Sequence, residues 1–166
     1  MEFTLIFNRY KGKLYNYLMK MISNKMAVED IIQNIFLRLF EGLHTIRNKD
    51  SIQFWLFRSA RNEVYIYFRN KKTRKDQFYV DDTDTLEVES CANIAELLEI
   101  KETKQLIMNE LDKMSPERKE VFILKEYSGF SYSEIASLLE IDEALVKSRL
   151  YKTRQKLING LNLLYK

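Results

Sequence analysis

The chain has 166 residues, enough for one or two small domains and too few for a large catalytic barrel or a dinucleotide fold with its partner domain. With 4 Gly and 1 Pro it lacks the turn formers of a β-sandwich or barrel, and 46% apolar with 31% charged residues argues against global disorder. The net charge of +3 conceals a segregation: residues 1–75 hold 15 Lys+Arg against 6 Asp+Glu, residues 76–100 none against 8, and residues 101–166 hold 12 against 10.

The first stretch, Met1 to Arg9, has no basic run, apolar core or small-residue cleavage site of a secretory signal, so a cytoplasmic location is expected. Phe7, Leu14, Leu18 and Met21 recur at helical intervals and predict a first helix. A second is marked by Ile31, Ile32, Ile35, Phe36, Leu39, Phe40 and Leu43, a wide apolar face suited to a bundle interior. On its other side Asp30, Gln33, Asn34 and Leu37 fall at spacings of three and four, a polar stripe with one apolar member. Gly42 to Ser51 reads as a loop before a third helix from about Ile52.

In that helix Phe57, Ala60, Val64 and Phe68 share a packing side, and Arg58, Arg61, Asn62, Tyr65 and Arg69 share another. Rings, guanidinium groups and an amide suit stacking on unpaired bases and holding their phosphates. The alternative for Trp55, Tyr65 and Tyr67 is that they complete the core or its rim, and a short strand over Val64 to Phe68 competes weakly with the helix. That run of about five apolar residues is far short of the roughly 20 of a membrane span. The block ends in Arg69-Asn70-Lys71-Lys72-Thr73-Arg74-Lys75, either a polyanion-binding cluster or a solvated domain edge.

Residues 76–93, with Asp81, Asp82, Asp84, Glu87 and Glu89 among small and polar neighbours, are predicted to be a flexible acidic linker. Its Cys91 reads as an incidental thiol. One Cys and one His, His44, cannot build a structural zinc site, so neither metal nor cofactor is expected.

Asn93-Ile94-Ala95-Glu96 has the form of a capping box for a helix to about Lys113. Ser115-Pro116 supplies the next cap and first-turn proline, and Val121, Phe122, Leu124 and Tyr127 carry a helix that Ser128-Gly129 ends. Ser131-Tyr132-Ser133-Glu134 caps a short helix with Ile135, Leu138 and Leu139 inward. Asp142 can cap the last helix, whose inward residues are Val146, Leu150, Thr153 and Leu157. Ala144, Lys147, Ser148, Tyr151 and Gln155 then point outward, flanked by Arg149, Lys152, Arg154 and Lys156. A short capped helix, a tight turn and a longer helix with a basic outer face predict a helix-turn-helix, whose second helix fits the major groove. The fold class is thus all-α: two small helical domains, residues 1–75 and 94–166, joined by the acidic linker.

These residues resemble a known family, the extracytoplasmic-function group of bacterial RNA polymerase sigma factors. Ala27 to Phe40 is similar to its conserved region 2.2, and Phe54-Trp55-Leu56-Phe57-Arg58-Ser59-Ala60-Arg61-Asn62 to its Trp-Leu-x-Arg-x-Ala-x-Asn signature. Met114 to Arg118, Gly129 to Ala136 and Val146 to Lys152 resemble region 4 through its recognition helix. The helix-turn-helix half is shared with many regulators; its combination with the amino-terminal signatures is specific.

The resemblance implies a binding module without catalysis of its own, which joins core RNA polymerase and guides it to promoters. Asp30, Gln33, Asn34, Leu37 and Arg38 would dock on the β′ clamp helices, with a further contact to the β flap. The loop Arg47 to Gln53, including Asn48, with Trp55, Arg58, Arg61, Asn62, Tyr65 and Arg69, would bind the minus-10 element and accept bases of the opened strand. The linker would follow the RNA exit path. Ala144, Lys147, Ser148, Arg149, Tyr151, Lys152 and Arg154 would meet the minus-35 element, Lys147 contributing more affinity than selectivity because Lys lacks the bidentate fork of Arg. An anti-sigma partner is implied, and no membrane insertion.

Asn34 stands where the family commonly has an acidic residue, Ile66 where Asp is frequent, and Glu140 where the turn often has Gly. Asp142 to Leu145 replaces the common Ser-x-Gly-Thr, and Glu143 either accepts from a cytosine amino group or repels phosphates. Two other functions compete: a polymerase-independent helix-turn-helix regulator, which normally needs a dimer, and a metal-dependent nuclease using Glu29, Asp30 and Glu63, carboxylates that form no recognisable metal signature.

Overall fold

The computed structural model describes residues 2–73 and 94–164. The predicted linker, residues 76–93, lies outside them, as do Cys91, the Asn93 cap, Arg74 and Lys75. All regular structure among the described residues is helical. The chain divides into two compact units between Asp84 and Thr85.

The amino-terminal unit packs α1 (Glu2–Ile22), α2 (Lys25–Gly42) and α3 (Ser51–Thr73) against one another. Ser23 ends α1 in the left-handed region with φ 59°, its N–H returning to the Met19 carbonyl. Asn24 then caps α2, its Oδ1 accepting from the Ala27 N–H at 3.1 Å, so an abrupt corner forms without glycine. The core comprises Leu14, Tyr17 and Leu18 of α1, Val28, Ile32, Ile35, Phe36 and Leu39 of α2, and Ile52, Leu56, Phe57, Ala60 and Val64 of α3. The Tyr17 and Phe57 rings meet edge to face at 5.6 Å, each fully buried, so each contributes on the order of 2 kcal/mol of transfer free energy.

Four predicted inward positions differ, Phe7 and Leu43 being only half-buried. Phe40 is 61% exposed, its ring only leaning on Phe3 at 5.2 Å, because the α2 face turned towards α1 and α3 is already filled by Phe36 and Leu39. Phe68 is half-buried, since it lies near the carboxy end of α3 where the neighbouring helices cover less. The predicted Gly42–Ser51 loop contains a 3-10 turn, Leu43–Thr45, and Ser51 already belongs to α3. Val64 to Phe68 is helical, which removes the strand alternative.

In the carboxy-terminal unit α4 (Ile94–Asp112), α5 (Pro116–Glu126) and α6 (Tyr132–Leu139) all pack on α7 (Glu143–Leu164). Ser115 occupies the cap position of α5 before Pro116, but its hydroxyl makes no capping bond; its carbonyl receives the Arg118 and Lys119 N–H groups instead. Tyr127, predicted as part of the apolar face, follows the last turn of α5 and is 41% exposed. Gly129 makes the turn with φ 75°. Ser131 caps α6 through its Oγ, which accepts from the Glu134 N–H.

Val146, Leu150, Thr153 and Leu157 are all buried, which fixes the rotation of α7 about its axis. Thr153 is accommodated because its hydroxyl donates to the Arg149 carbonyl at 2.8 Å. Glu140, in the place often held by glycine, is left-handed with φ 56° and ψ 45°. A side chain there costs about 1 kcal/mol relative to glycine. Glu140→Gly is therefore expected to raise the unfolding free energy of this unit by about 1 kcal/mol, read as a higher midpoint in urea.

Candidate nucleic-acid interface

The structure gathers the predicted site residues into three surfaces, two on the amino-terminal unit and one on the carboxy-terminal unit. On α2, Asp30, Gln33, Asn34 and Leu37 are all exposed because Ile31, Ile32, Ile35 and Phe36 take the inner face. Met26 and Phe40, four residues before Asp30 and three after Leu37, continue this stripe with 78% and 61% exposure. Neither was expected there, Phe40 because its apolar character argued for the core. Arg38 is tied down: its Nη2 donates to Glu63 Oε1 on α3 at 3.0 Å, linking the stripe's edge to the next helix. That ion pair also gives Glu63 a role unrelated to metal binding.

On α3, Trp55, Arg58, Asn62, Tyr65 and Arg69 recur at intervals of three and four and form one stripe. Arg58, Asn62 and Arg69 are exposed, and Trp55 and Tyr65 half-buried, so these aromatic residues lie at the rim of the bundle. The Arg61 guanidinium lies 4.7 Å from the centre of the Tyr65 ring. Arg61, Asn62, Tyr65, Ile66 and Arg69 line an open depression of about 500 Å³. Ile66 supplies apolar surface there, 43% exposed, where the family pattern has a charge. Arg47 and Asn48 are exposed in the preceding loop, whose turn Asn48 builds: its Oδ1 accepts from the Asp50 N–H and its carbonyl from the Ser51 hydroxyl.

On α7, Ala144, Lys147, Ser148, Tyr151, Lys152 and Arg154 are exposed on the side away from the core, and Arg149 is half-buried. Two of the cations have acidic neighbours within ion-pair distance. Arg154 hydrogen-bonds Glu126 at the end of α5, which raises its pKa above the ordinary value and links α7 to α5. Lys147 Nζ lies 3.5 Å from Glu143 Oε1 and 5.5 Å from the centre of the Tyr132 ring, which Lys125 Nζ approaches to 4.5 Å. Lys125 and Tyr132 extend the basic surface to α5 and α6. Their only sequence signals were a cation in a last turn and a ring beside a cap.

Among the described residues no group of three or more His, Cys, Asp or Glu side chains could hold a metal ion, and no helix is long and apolar enough to cross a membrane.

Two family models match the chain in order, sigma-70 region 2 over residues 6–74 and sigma-70 region 4 over residues 104–157. The chain is 31% identical over 153 residues to the ECF RNA polymerase sigma factor SigM of Bacillus subtilis, covering 92% of this chain and 90% of the relative. It is 27% identical over 164 residues to SigX of the same organism, covering 98% and 84%. Among solved structures, the sigma factor RpoE in complex with the anti-sigma factor NepR from Bartonella quintana superposes with a TM-score of 0.77 at 20% identity, over 97% of each chain. With both regions matched and such relatedness over nearly its whole length, the chain belongs to the extracytoplasmic-function group of RNA polymerase sigma factors in the sigma-70 family.

Proposed function

We propose that the chain joins core RNA polymerase through the α2 stripe, reads the minus-35 element with the outer face of α7, and opens the minus-10 element against α3 and the loop before it. One observation carries this reading: α7 buries Val146, Leu150, Thr153 and Leu157, which leaves Lys147, Ser148, Tyr151 and Lys152 together on its exposed side. Such a surface fits a major groove. The α3 stripe of guanidinium groups and rings suits a single strand, where stacking at roughly 1–3 kcal/mol per base offsets the few kcal/mol needed to extrude it.

The functional domains are residues 1–75 and 94–166, and the acidic block between them imitates RNA charge in the exit path. The β flap takes the carboxy-terminal unit. An anti-sigma partner, as the RpoE complex has, covers the α2 stripe or the region 4 surface in resting cells. Recovery of polymerase alone from such cells would count against that control.

Run-off transcription tests the proposal. Initiation at particular promoters should require the chain and core polymerase together, whereas selective DNA retention by the chain alone would favour a free-standing regulator. Lys147→Ala should weaken many promoters alike, about tenfold at moderate salt, because a lysine acts on DNA mainly as a point charge. A sharp change of sequence preference in that variant would contradict the role given to Lys147.

A further inference from the structure

Glu143 opens α7 and is its only carboxylate; the other ionised side chains of the helix are Lys147, Arg149, Lys152, Arg154 and Lys156. It stands in the first turn of α7, the part of a groove-reading helix whose residues contact base edges. A carboxylate there is repelled by the phosphates, and the neighbouring cation reduces that repulsion. Lys147 Nζ stands 3.5 Å from Glu143 Oε1, beyond the usual length of an N–H···O hydrogen bond, and 5.5 Å from the centre of the Tyr132 ring. Both partners are about half exposed, at 49% and 58%, so the pair opens at little cost. The Glu143 oxygens thus lie beside Lys147 in the first turn of α7, half exposed and with capacity to accept.

The major groove offers a carboxylate two donors, the amino groups of cytosine and adenine. Adenine sets its N7 acceptor beside the amino group, where it opposes a second carboxylate oxygen. Cytosine has only a C–H at the corresponding place. Resting on the proposed reading of the minus-35 element by α7, we infer that Glu143 selects cytosine at one position of that element, while Lys147 supplies affinity without choosing a base.

The test is transcription by core polymerase with the chain from a library in which the upstream element is randomised. The wild-type chain should enrich cytosine on the order of tenfold at one position. In Glu143→Gln the same position should change to adenine, because the amide pairs with N6 and N7 together. In Glu143→Ala the preference there should vanish while the other positions keep theirs. Identical preferences in wild type and Glu143→Gln, or a uniform loss across the library, would overturn the inference, the latter indicating a purely structural role. A library that the wild-type chain cannot initiate at all would instead defeat the polymerase-guiding reading, and this inference with it.

Discussion

Leu37→Glu is expected to weaken binding to core RNA polymerase on the order of thirtyfold and to reduce initiation in proportion, with no appreciable change in folding stability. Leu37 is 56% exposed and sits between Gln33, Asn34 and Phe40 on the α2 stripe. An exposed apolar pair such as Leu37 and Phe40, flanked by polar residues, is the usual energetic centre of an interface, because its burial is favourable and its neighbours exclude water. A glutamate there must be desolvated against a partner shaped for leucine. The same residue in the free chain faces solvent, so the fold tolerates the change to within about 0.5 kcal/mol. Titration of core polymerase with fluorescently labelled chain measures the affinity. Lys147→Ala, in the other unit, serves as the control that loses promoter affinity and keeps polymerase affinity. Full polymerase binding by Leu37→Glu would remove α2 from the docking surface.

The two helices that carry these predictions were legible in the sequence for a shared reason. Each has one continuous inner face, so periodicity alone placed Asp30, Gln33 and Leu37 outward on α2 and Lys147, Ser148 and Tyr151 outward on α7. Even Thr153, a polar residue at an inward position, agreed, because a threonine can return its hydroxyl bond to its own helix. Periodicity failed at Phe40, where Phe36 and Leu39 already fill the inner face of α2, and at Tyr127, which follows the last turn of α5.

Pairing between distant segments was invisible for a different reason. Arg38 meets Glu63, Arg154 meets Glu126, and the largely buried Lys119 meets Asp112; in each case the partner stands on another helix, so no spacing rule connects them. Buried Glu120 likewise gave no signal. Arg38 and Arg154, expected as contacts for polymerase and DNA, also each have an ion-pair partner on a neighbouring helix, with about half of each side chain still exposed. The Ser23-Asn24 corner was missed because a serine in the left-handed region imitates glycine without its sequence mark.

Leu150→Ala should destabilise the carboxy-terminal unit by about 2–5 kcal/mol and leave the amino-terminal unit as it is. Leu150 is 1% exposed, between Val146 and Thr153 on the face of α7 that packs on α5 and α6, and truncation leaves a cavity under α7. A unit of this size is stable by only about 5–15 kcal/mol, so the loss is a large share. The single tryptophan, Trp55, lies in α3 and reports on the other unit alone. In urea, helical circular dichroism of Leu150→Ala should show an early transition absent from wild type, while the Trp55 fluorescence transition stays in place. The variant should retain polymerase affinity through α2 and lose its dependence on the minus-35 sequence. Movement of both transitions together would mean that the units unfold as one body, and the division of labour between α2 with α3 and α7 would then lose its physical basis.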